Sequence, residues 1–565
     1  MFFLGKKFQI RWSTAVLIAF LSCLLSWSSS REAAAQASAI QNVIVEKNRV
    51  IERFRPPLEM LQRVSLSVPL DRRSLVDLPA RAAPLNSMQI SGNSFLTLDQ
   101  LQPLWADLLG RPTARSEIEE LILEIERFYL ESDVYARALV TAWQPETGSL
   151  TVEIFEGYLE EVTVESDLPD MTDRLRPYIR RMVSQVPLRV SRMERELLLI
   201  ADLEGFAVDA LLEQVPERVG AGRLTLVITP ERYTLGTQLD NFTDDDTGPF
   251  QLTAYGSTHD LFGLFEQSIL VGMVTPLSPR RFRLAQFSQD YPLGTSGLRF
   301  GYSLTQVASE PGGEAREIDL EVESSVGTLW FRYPFIRRIH HNLIGQLELS
   351  GQNDGVRIGG AHVVDDRKRW IGLTGTYDRI LDKGMLLGRL TFKQGIDGLG
   401  ATAADDLQTG RWKGRPDFRS LEAEAQFHHR LAEGWHLDVG SLGQLALNRL
   451  PSAARFSIGG DSIGRSFVAA SLSADSGIAT TLAVSHELEQ SLPALEDFTA
   501  FAFADHAWLH NGMDDMEFGS AQLAGLGIGI NWRNHVQVGL TTPAFKSDSI
   551  ETFNTRAFVR LSYQF

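Results

Sequence analysis

The chain ends in TRAFVRLSYQF, residues 555–565, and the reading of this stretch decides the fold. Thr555, Ala557, Val559, Leu561, Tyr563 and Phe565 alternate with Arg556, Phe558, Arg560, Ser562 and Gln564. In an extended strand successive side chains point to opposite faces, so one face here suits lipid and the other a polar interior. That is the pattern of a membrane β-strand facing an aqueous lumen.

Working outward, the same period of two runs back to about Tyr233. Leu298, Phe300, Tyr302 and Leu304 alternate with Arg299, Gly301, Ser303 and Thr305, and Leu526, Ile528, Ile530 and Trp532 with Gly527, Gly529, Asn531 and Arg533. At roughly 20 residues per strand with its connection, residues 233–565 make about 16 antiparallel strands, within the range of bacterial outer-membrane barrels. Closure satisfies every backbone polar group in lipid. A soluble sandwich alternates in the same way, but the length of the run and its aromatic end favour the barrel.

Composition narrows the class further. The formal charge of −17 opposes nucleic acid as a partner, because phosphate binding needs a basic face. Beyond the N-terminus no segment reaches about 18 uninterrupted apolar residues, so no helical membrane span is expected. A mean hydropathy of −0.09 is compatible with a barrel, whose alternating strands barely move the average.

At the N-terminus Lys6, Lys7 and Arg11 precede an apolar run from Thr14 to Trp27, and Ala35-Gln36-Ala37 offers a small-x-small cleavage site. Residues 1–37 therefore read as a secretory signal peptide. The single cysteine, Cys23, lies inside it, which leaves the mature chain without thiol catalysis, disulfides or a cysteine metal site.

Residues 38–86 read as a helix over 38–54, a candidate plug, followed by a Pro/Arg/Ala-rich linker. Residues 87–157 have α/β texture. Met88-Gln89-Ile90 is strand-like, Thr97 is placed to cap a helix through Leu108, and a second helix from Thr113 carries Ile118, Leu121, Ile122, Ile125 and Phe128 at helical spacing. Strands Ala136–Trp143 and Leu150–Phe155 follow. The β-α-α-β-β order repeats over 158–232, with strands at Leu159–Val164, Phe206–Leu212 and Arg223–Ile228 and helices at Met171–Val183 and Ser191–Ala201.

Tandem β-α-α-β-β domains before a barrel resemble the polypeptide-transport-associated (POTRA) domains of two-partner secretion transporters, the TpsB or ShlB/FhaC/HecB haemolysin secretion/activation family. The matching residues are Tyr135-Ala136-Arg137-Ala138-Leu139-Val140, Gly148 and Glu156-Gly157 in the first domain. In the barrel they are Leu239-Asp240-Asn241, Asp260-Leu261-Phe262-Gly263, Tyr333-Pro334-Phe335-Ile336-Arg337 and FSIGGDSIGRSF at 456–467. The order and spacing of these motifs carry the resemblance more than any one of them.

The last stretch has two readings. Gly460-Asp461-Ser462-Ile463-Gly464 matches a G-x-S-x-G nucleophile elbow, which requires a helix after the second glycine. The following RSFVAASLSADSG has no helical face, and Asp505 and His506, the nominal triad partners, are neighbours that point apart on a strand. In the transporters it resembles, a long outer loop folds back into the barrel with an Arg-Gly-Tyr/Phe tip after a Gly-Gly pair, and its arginine pairs with the aspartate of a Phe-x-Asp strand. Gly459, Gly460, Arg465, Ser466 and Phe467 fall on the tip pattern, and Phe503 and Asp505 on the strand. The resemblance thus implies an Arg465–Asp505 gating pair. Ser466 replaces the usual glycine, and strain is expected there if that position has positive φ.

What the resemblance implies is a pore in the bacterial outer membrane, with POTRA domains in the periplasm, that exports a partner exoprotein bearing an N-terminal secretion domain. No catalysis and no cofactor are expected, and no metal. Strand edges near Ala136, Leu139 and Val140 and near Phe206 and Val208 are the candidate partner grooves, since an extended peptide can add to a sheet edge. Tyr563 and Phe565 form the expected signal for the barrel-assembly machinery. An assembly factor that inserts other barrels shares this plan and stays the alternative, although it usually carries three or more POTRA domains. An esterase using Ser462 and a passive porin are the remoter ones. Asp244-Asp245-Asp246 reads as a solvated turn, His340-His341 and His428-His429 as pairs that point apart, and Arg337-Arg338 as a loop near charged lipid.

Overall fold

The computed structural model describes residues 82–565 except 216–217, 405, 407, 491–496, 513–518 and 548–553, together with Leu66–Ser67 and Leu78. The expected signal peptide at 1–37 and helix at 38–54 lie outside the described residues.

In the first α/β unit, strand Ser87–Ser91 pairs in parallel with Ser149–Glu156, which pairs antiparallel with Ala136–Gln144. Helix Arg115–Glu131 lays Ile118, Leu121, Ile122 and Ile125 on that sheet, against Val140, Leu150, Val152 and Ile154. It begins two residues later than expected, because Pro112–Thr113 pairs with Ala83–Pro84 as a short strand. The Ala114 N–H instead donates to Glu117 Oε2 (2.7 Å), satisfying an orphan amide of the first turn. The helix expected over 97–108 is broken into Leu98–Leu101 and two 3₁₀ turns, Gln102–Leu104 and Ala106–Leu108. Pro103, which lacks an N–H, sits at the first break.

The second unit follows the expected order closely. Strands Tyr158–Ser166, Phe206–Gln214 and Ala221–Pro230 carry helices Met171–Val183 and Val190–Ala201, whose Leu175, Met182, Met193 and Leu197 pack on Leu224, Leu226 and Ile228. Its sheet has a fourth member: Leu66–Ser67 run parallel to Ala210–Leu211 on the Phe206–Gln214 edge.

From Tyr233 the chain winds, among the described residues, sixteen antiparallel strands that pair in sequence order. The barrel closes where Tyr233–Asp240 meets Arg556–Gln564, with Gly236 opposite Gln564 and Asp240 opposite Arg560. The alternation read from the sequence is the alternation observed. Leu526, Ile528 and Ile530 are 51%, 62% and 42% exposed on the outer surface, whereas Phe558 on the opposite face is buried against Phe242 and Phe503. Strands Leu320–Arg337, His341–Ile358 and Ala361–Leu381 are the long ones, at 18, 18 and 21 residues. A tilted barrel strand needs only about 10 residues to cross the hydrocarbon, so these three extend well past it. Beyond it they enclose a core of their own, Leu320, Val322, Val356 and Val364, beside a buried Lys368 held by Asp354 and Asp366.

Candidate functional site

The first barrel strand leaves the second α/β unit, so connections alternate between the end carrying that unit and the opposite end. Counted this way, the segment between strands Trp435–Ala446 and Ser476–Glu487 belongs to the opposite, outer end. It does not stay outside. A short hairpin, Phe456–Ile458 against Leu472–Ala474, forms its stem. The tip between them packs Ile463 and Phe467 against Ala507, Leu509 and Leu523 of the barrel wall.

The turn is built on glycines. Gly459, Gly460 and Gly464 have φ of 115°, 98° and 83°, a region L side chains avoid, and a Cβ on Gly459 would lie 2.1 Å from the Val468 carbonyl oxygen. This turn aims two backbone amides at one carboxylate: the N–H groups of Gly464 and Arg465 both donate to Asp505 Oδ2 at 3.0 Å. The Arg465 guanidinium completes the arrangement, with Nε on Oδ2 (3.2 Å) and Nη2 on Oδ1 (2.8 Å). Nη2 also donates to Thr481 Oγ1 at 2.7 Å, and the guanidinium carbon lies 3.4 Å from the Phe503 ring centroid. A fork-shaped cation is needed to meet both oxygens and stack on the ring together. The Asp505 side chain is fully buried and that of Arg465 nearly so, at 14% exposure. A second ion pair joins Asp461 of the tip to Arg560 of the last strand at 3.4 Å.

Ser466 corrects one expectation. It is not among the residues with positive φ, which in this segment are Gly459, Gly460, Gly464 and Ala470, so serine is accommodated without backbone strain. The Ser462 reading also loses its geometry. Residues after Gly464 turn into strand Leu472–Ala474 instead of a helix, Asp505 is committed to the loop, and His506 lies on the exposed face of the same strand.

At the opposite end the second α/β unit is bolted to the barrel by residues that sequence reasoning missed. Arg337, whose side chain is fully buried, forks onto Asp202 at the end of helix Val190–Ala201 (2.8 and 2.6 Å) and donates to Asn342. Arg299 forks onto Asp290 and donates to the Asp202 carbonyl oxygen at 2.9 Å. Arg174 forks onto Asp260 and stacks 3.9 Å from the Phe265 ring centroid. Arg338 pairs with Glu194 at 3.3 Å. The Arg337-Arg338 doublet is therefore an interdomain clamp and not a lipid-facing loop. Its signal lay in the Tyr333–Arg337 motif, which places an arginine at a strand end next to aromatics.

The proposed strand edges are placed as follows. On Ala136–Gln144 the N–H of Ala138 donates to the buried Glu126 Oε1 (3.0 Å), which also meets Arg137 Nε, and the Tyr135 N–H donates to the Leu188 carbonyl. Among the described residues the strand pairs on one side only, with Leu139 and Val140 buried. On Phe206–Gln214, Phe206 and Val208 face the core, and the edge carries Leu66–Ser67. Tyr563 and Phe565 stand exposed and edge-to-face at 4.7 Å on the last strand, where the Phe565 N–H donates to Leu235.

Two α/β units docked on one end of a sixteen-stranded barrel, with an outer loop folded back and pinned inside the lumen, define the class of outer-membrane polypeptide transporters. The model of the haemolysin secretion/activation protein ShlB/FhaC/HecB family matches residues 225–532, more than half of the chain, and that of the ShlB-type POTRA domain matches residues 83–157. The chain belongs to this family, whose members are transporters of two-partner secretion located in the outer membrane. It is 22% identical to the heme/hemopexin transporter protein HuxB of Haemophilus influenzae (strain 86-028NP), over 80% of this chain and 81% of that one. It is also 22% identical to the outer membrane transporter CdiB of Dickeya dadantii (strain 3937), over 92% of each chain. Its fold superposes on CdiB from Escherichia coli with a TM-score of 0.70 at 19% identity, covering 93% of this chain and 99% of that one. BamA from Haemophilus ducreyi lacking POTRA domains 1–3 matches with a TM-score of 0.53 at 11% identity, covering 85% of this chain and 100% of that one.

Proposed function

We infer that this transporter exports one partner exoprotein through its own barrel, and that the Arg465–Asp505 pair is the latch that holds the lumen closed between transport events. The observation that carries this is the placement of four hydrogen bonds from the loop tip on one fully buried carboxylate of the wall. A group so placed resists water and ions yet can be released as a unit when the tip leaves.

Recognition is assigned to the domains at 87–157 and 158–232. The strand near Ala136, Leu139 and Val140, and the part of the Phe206–Gln214 edge near Phe206 and Val208 that precedes the Ala210–Leu211 stretch covered by Leu66–Ser67, are where an extended client segment would add, its main chain supplying the hydrogen bonds. The clamp of Arg337 on Asp202 supports a fixed hand-over geometry between the second domain and the lumen. Residues 38–54 are assigned to the lumen as a plug, Tyr563 and Phe565 to recognition by the barrel-assembly machinery, and the outer apolar belt to outer-membrane lipid. The chain is not an enzyme in this account, and folding of the client outside supplies direction without nucleotide.

Planar-bilayer conductance of the purified protein, with secretion of the exoprotein encoded beside it assayed in parallel, tests the reading. Altered gating and altered export in Arg465→Ala and Asp505→Ala support it. Unchanged conductance and unchanged export in both reject the latch.

A further inference from the structure

We propose that Ser466, the residue that departs from the family's glycine, is a second latch of this particular transporter, closing on Thr541 in a socket opened by Gly525. The proposal rests on the loop-gate reading above and adds a chain-specific element to it.

Three observations converge. The hydroxyls of Ser466 and Thr541 are 2.5 Å apart, a hydrogen bond between loop tip and barrel wall in which either oxygen can donate. Both residues are buried, at 3% and 1% exposure, and Thr541 Oγ1 also lies 3.1 Å from the Leu526 carbonyl, to which it can donate while accepting from Ser466. Buried hydroxyls with matched partners hold a defined geometry, and each would be costly to leave alone. The third observation is a void made to measure. A Cβ built on Gly525 would sit 2.1 Å from Ser466 Oγ and 2.8 Å from its Cβ, and meets nothing else closer than 3.5 Å. Gly525 lies in strand Ser520–Trp532 where its register against Val536–Lys546 shifts between Ala524 and Gly525, but its φ is not positive, so the φ angle does not demand glycine there. The space is filled by Ser466 alone.

The two latches engage different strands. Arg465 is held by Phe498–His510 and Ser476–Glu487, whereas Ser466 reaches across Ser520–Trp532 to Val536–Lys546. The tip thus spans several neighbouring staves, and opening requires both holds to let go. A glycine at 466 would leave the arginine hold intact and remove the other, so the serine makes this gate tighter than the arginine hold alone.

The test is single-channel recording of the purified full-length protein, with heat-modifiable migration in gels confirming a folded barrel for each variant. Ser466→Gly and Thr541→Val are each expected to raise open probability about fivefold, the equivalent of one buried hydrogen bond. The double variant is expected to equal either single one, because both remove the same bond. Gly525→Ala in the wild-type background is expected to open the channel by expelling Ser466, and Gly525→Ala with Ser466→Gly to gate like Ser466→Gly alone. That rescue is a result general loss of stability cannot produce. The proposal is overturned if Ser466→Gly and Thr541→Val gate like wild type, if their effects add, or if Gly525→Ala is equally harmful with and without Ser466. If Arg465→Ala also gates like wild type, the loop-gate reading itself falls. If Arg465→Ala opens the channel while Ser466→Gly does not, only the second latch falls.

Discussion

Replacing Asp505 with alanine removes the acceptor of four hydrogen bonds at once. Two come from the Arg465 side chain and two from backbone N–H groups. Removing one member of a buried ion pair costs about 3–5 kcal/mol, because the remaining charge is left without compensation. Since each 1.4 kcal/mol is a factor of ten, the closed tip should lose about a hundredfold or more in population relative to open states. Asp505→Asn keeps the shape and one acceptor oxygen but loses the charge, so its effect should be intermediate. Arg465→Lys keeps charge but loses both the fork and the planar stack on Phe503 3.4 Å away, and should fall closer to Arg465→Ala than to wild type. Open probability in planar bilayers reads all four. An Asp505→Ala channel whose open probability stays within about twofold of wild type, in a correctly folded barrel, would refute the reasoning.

Other consequences follow from the remaining contacts. Asp202→Ala strips the carboxylate from the fully buried Arg337, so the second domain should loosen from the barrel by about 3–5 kcal/mol, read as faster proteolysis after residue 230. Glu126→Ala removes the carboxylate that meets Arg137 and accepts from the Ala138 N–H, and should lower the unfolding midpoint of the first domain without changing channel conductance. Ser462→Ala should secrete the partner at the wild-type rate, and neither form should hydrolyse a model ester. Raising the pH of the periplasmic face offers a further check on Glu196, whose buried carboxyl is pushed above the usual range, with Arg181 pulling it back. A raised carboxyl pKa means the native state holds its proton more tightly. Its contribution is therefore present at acid pH and lost as pH rises through the shifted value. Glu196→Gln should flatten that decline in a melt series.

The barrel was legible because its signal is geometric. Period-two alternation in Leu526–Arg533 and Thr555–Phe565 needs only a strand and two different solvents, and lipid and lumen supply them. Helix Met171–Val183 was equally plain from its apolar spacing. Helix 97–108 was misread because Pro103 overrode the local pattern, and the start at Thr113 because a two-residue strand claimed Pro112–Thr113. The loop pair Arg465 and Asp505 was legible only through resemblance, since 40 residues separate partners that the barrel brings together. Arg337 stands in the Tyr333–Arg337 motif, but nothing in that motif points to Asp202, 135 residues away, so the partner emerged from the three-dimensional arrangement. The doubt the sequence raised about Ser466 ended with its φ, which is not positive, and the room for its side chain beside Gly525 is invisible in one dimension.

Cross-linking the client inside the lumen tests the central claim most directly. A photoreactive residue in place of Gln426, which shares the inward face of its strand with Glu424 and His428, would be irradiated during export, with a twin at Leu373, which is 59% exposed on the outer surface. The account predicts an adduct between transporter and exoprotein from position 426 and none from position 373. Adducts from neither position, or from 373 alone, while export proceeds, would contradict passage through this barrel.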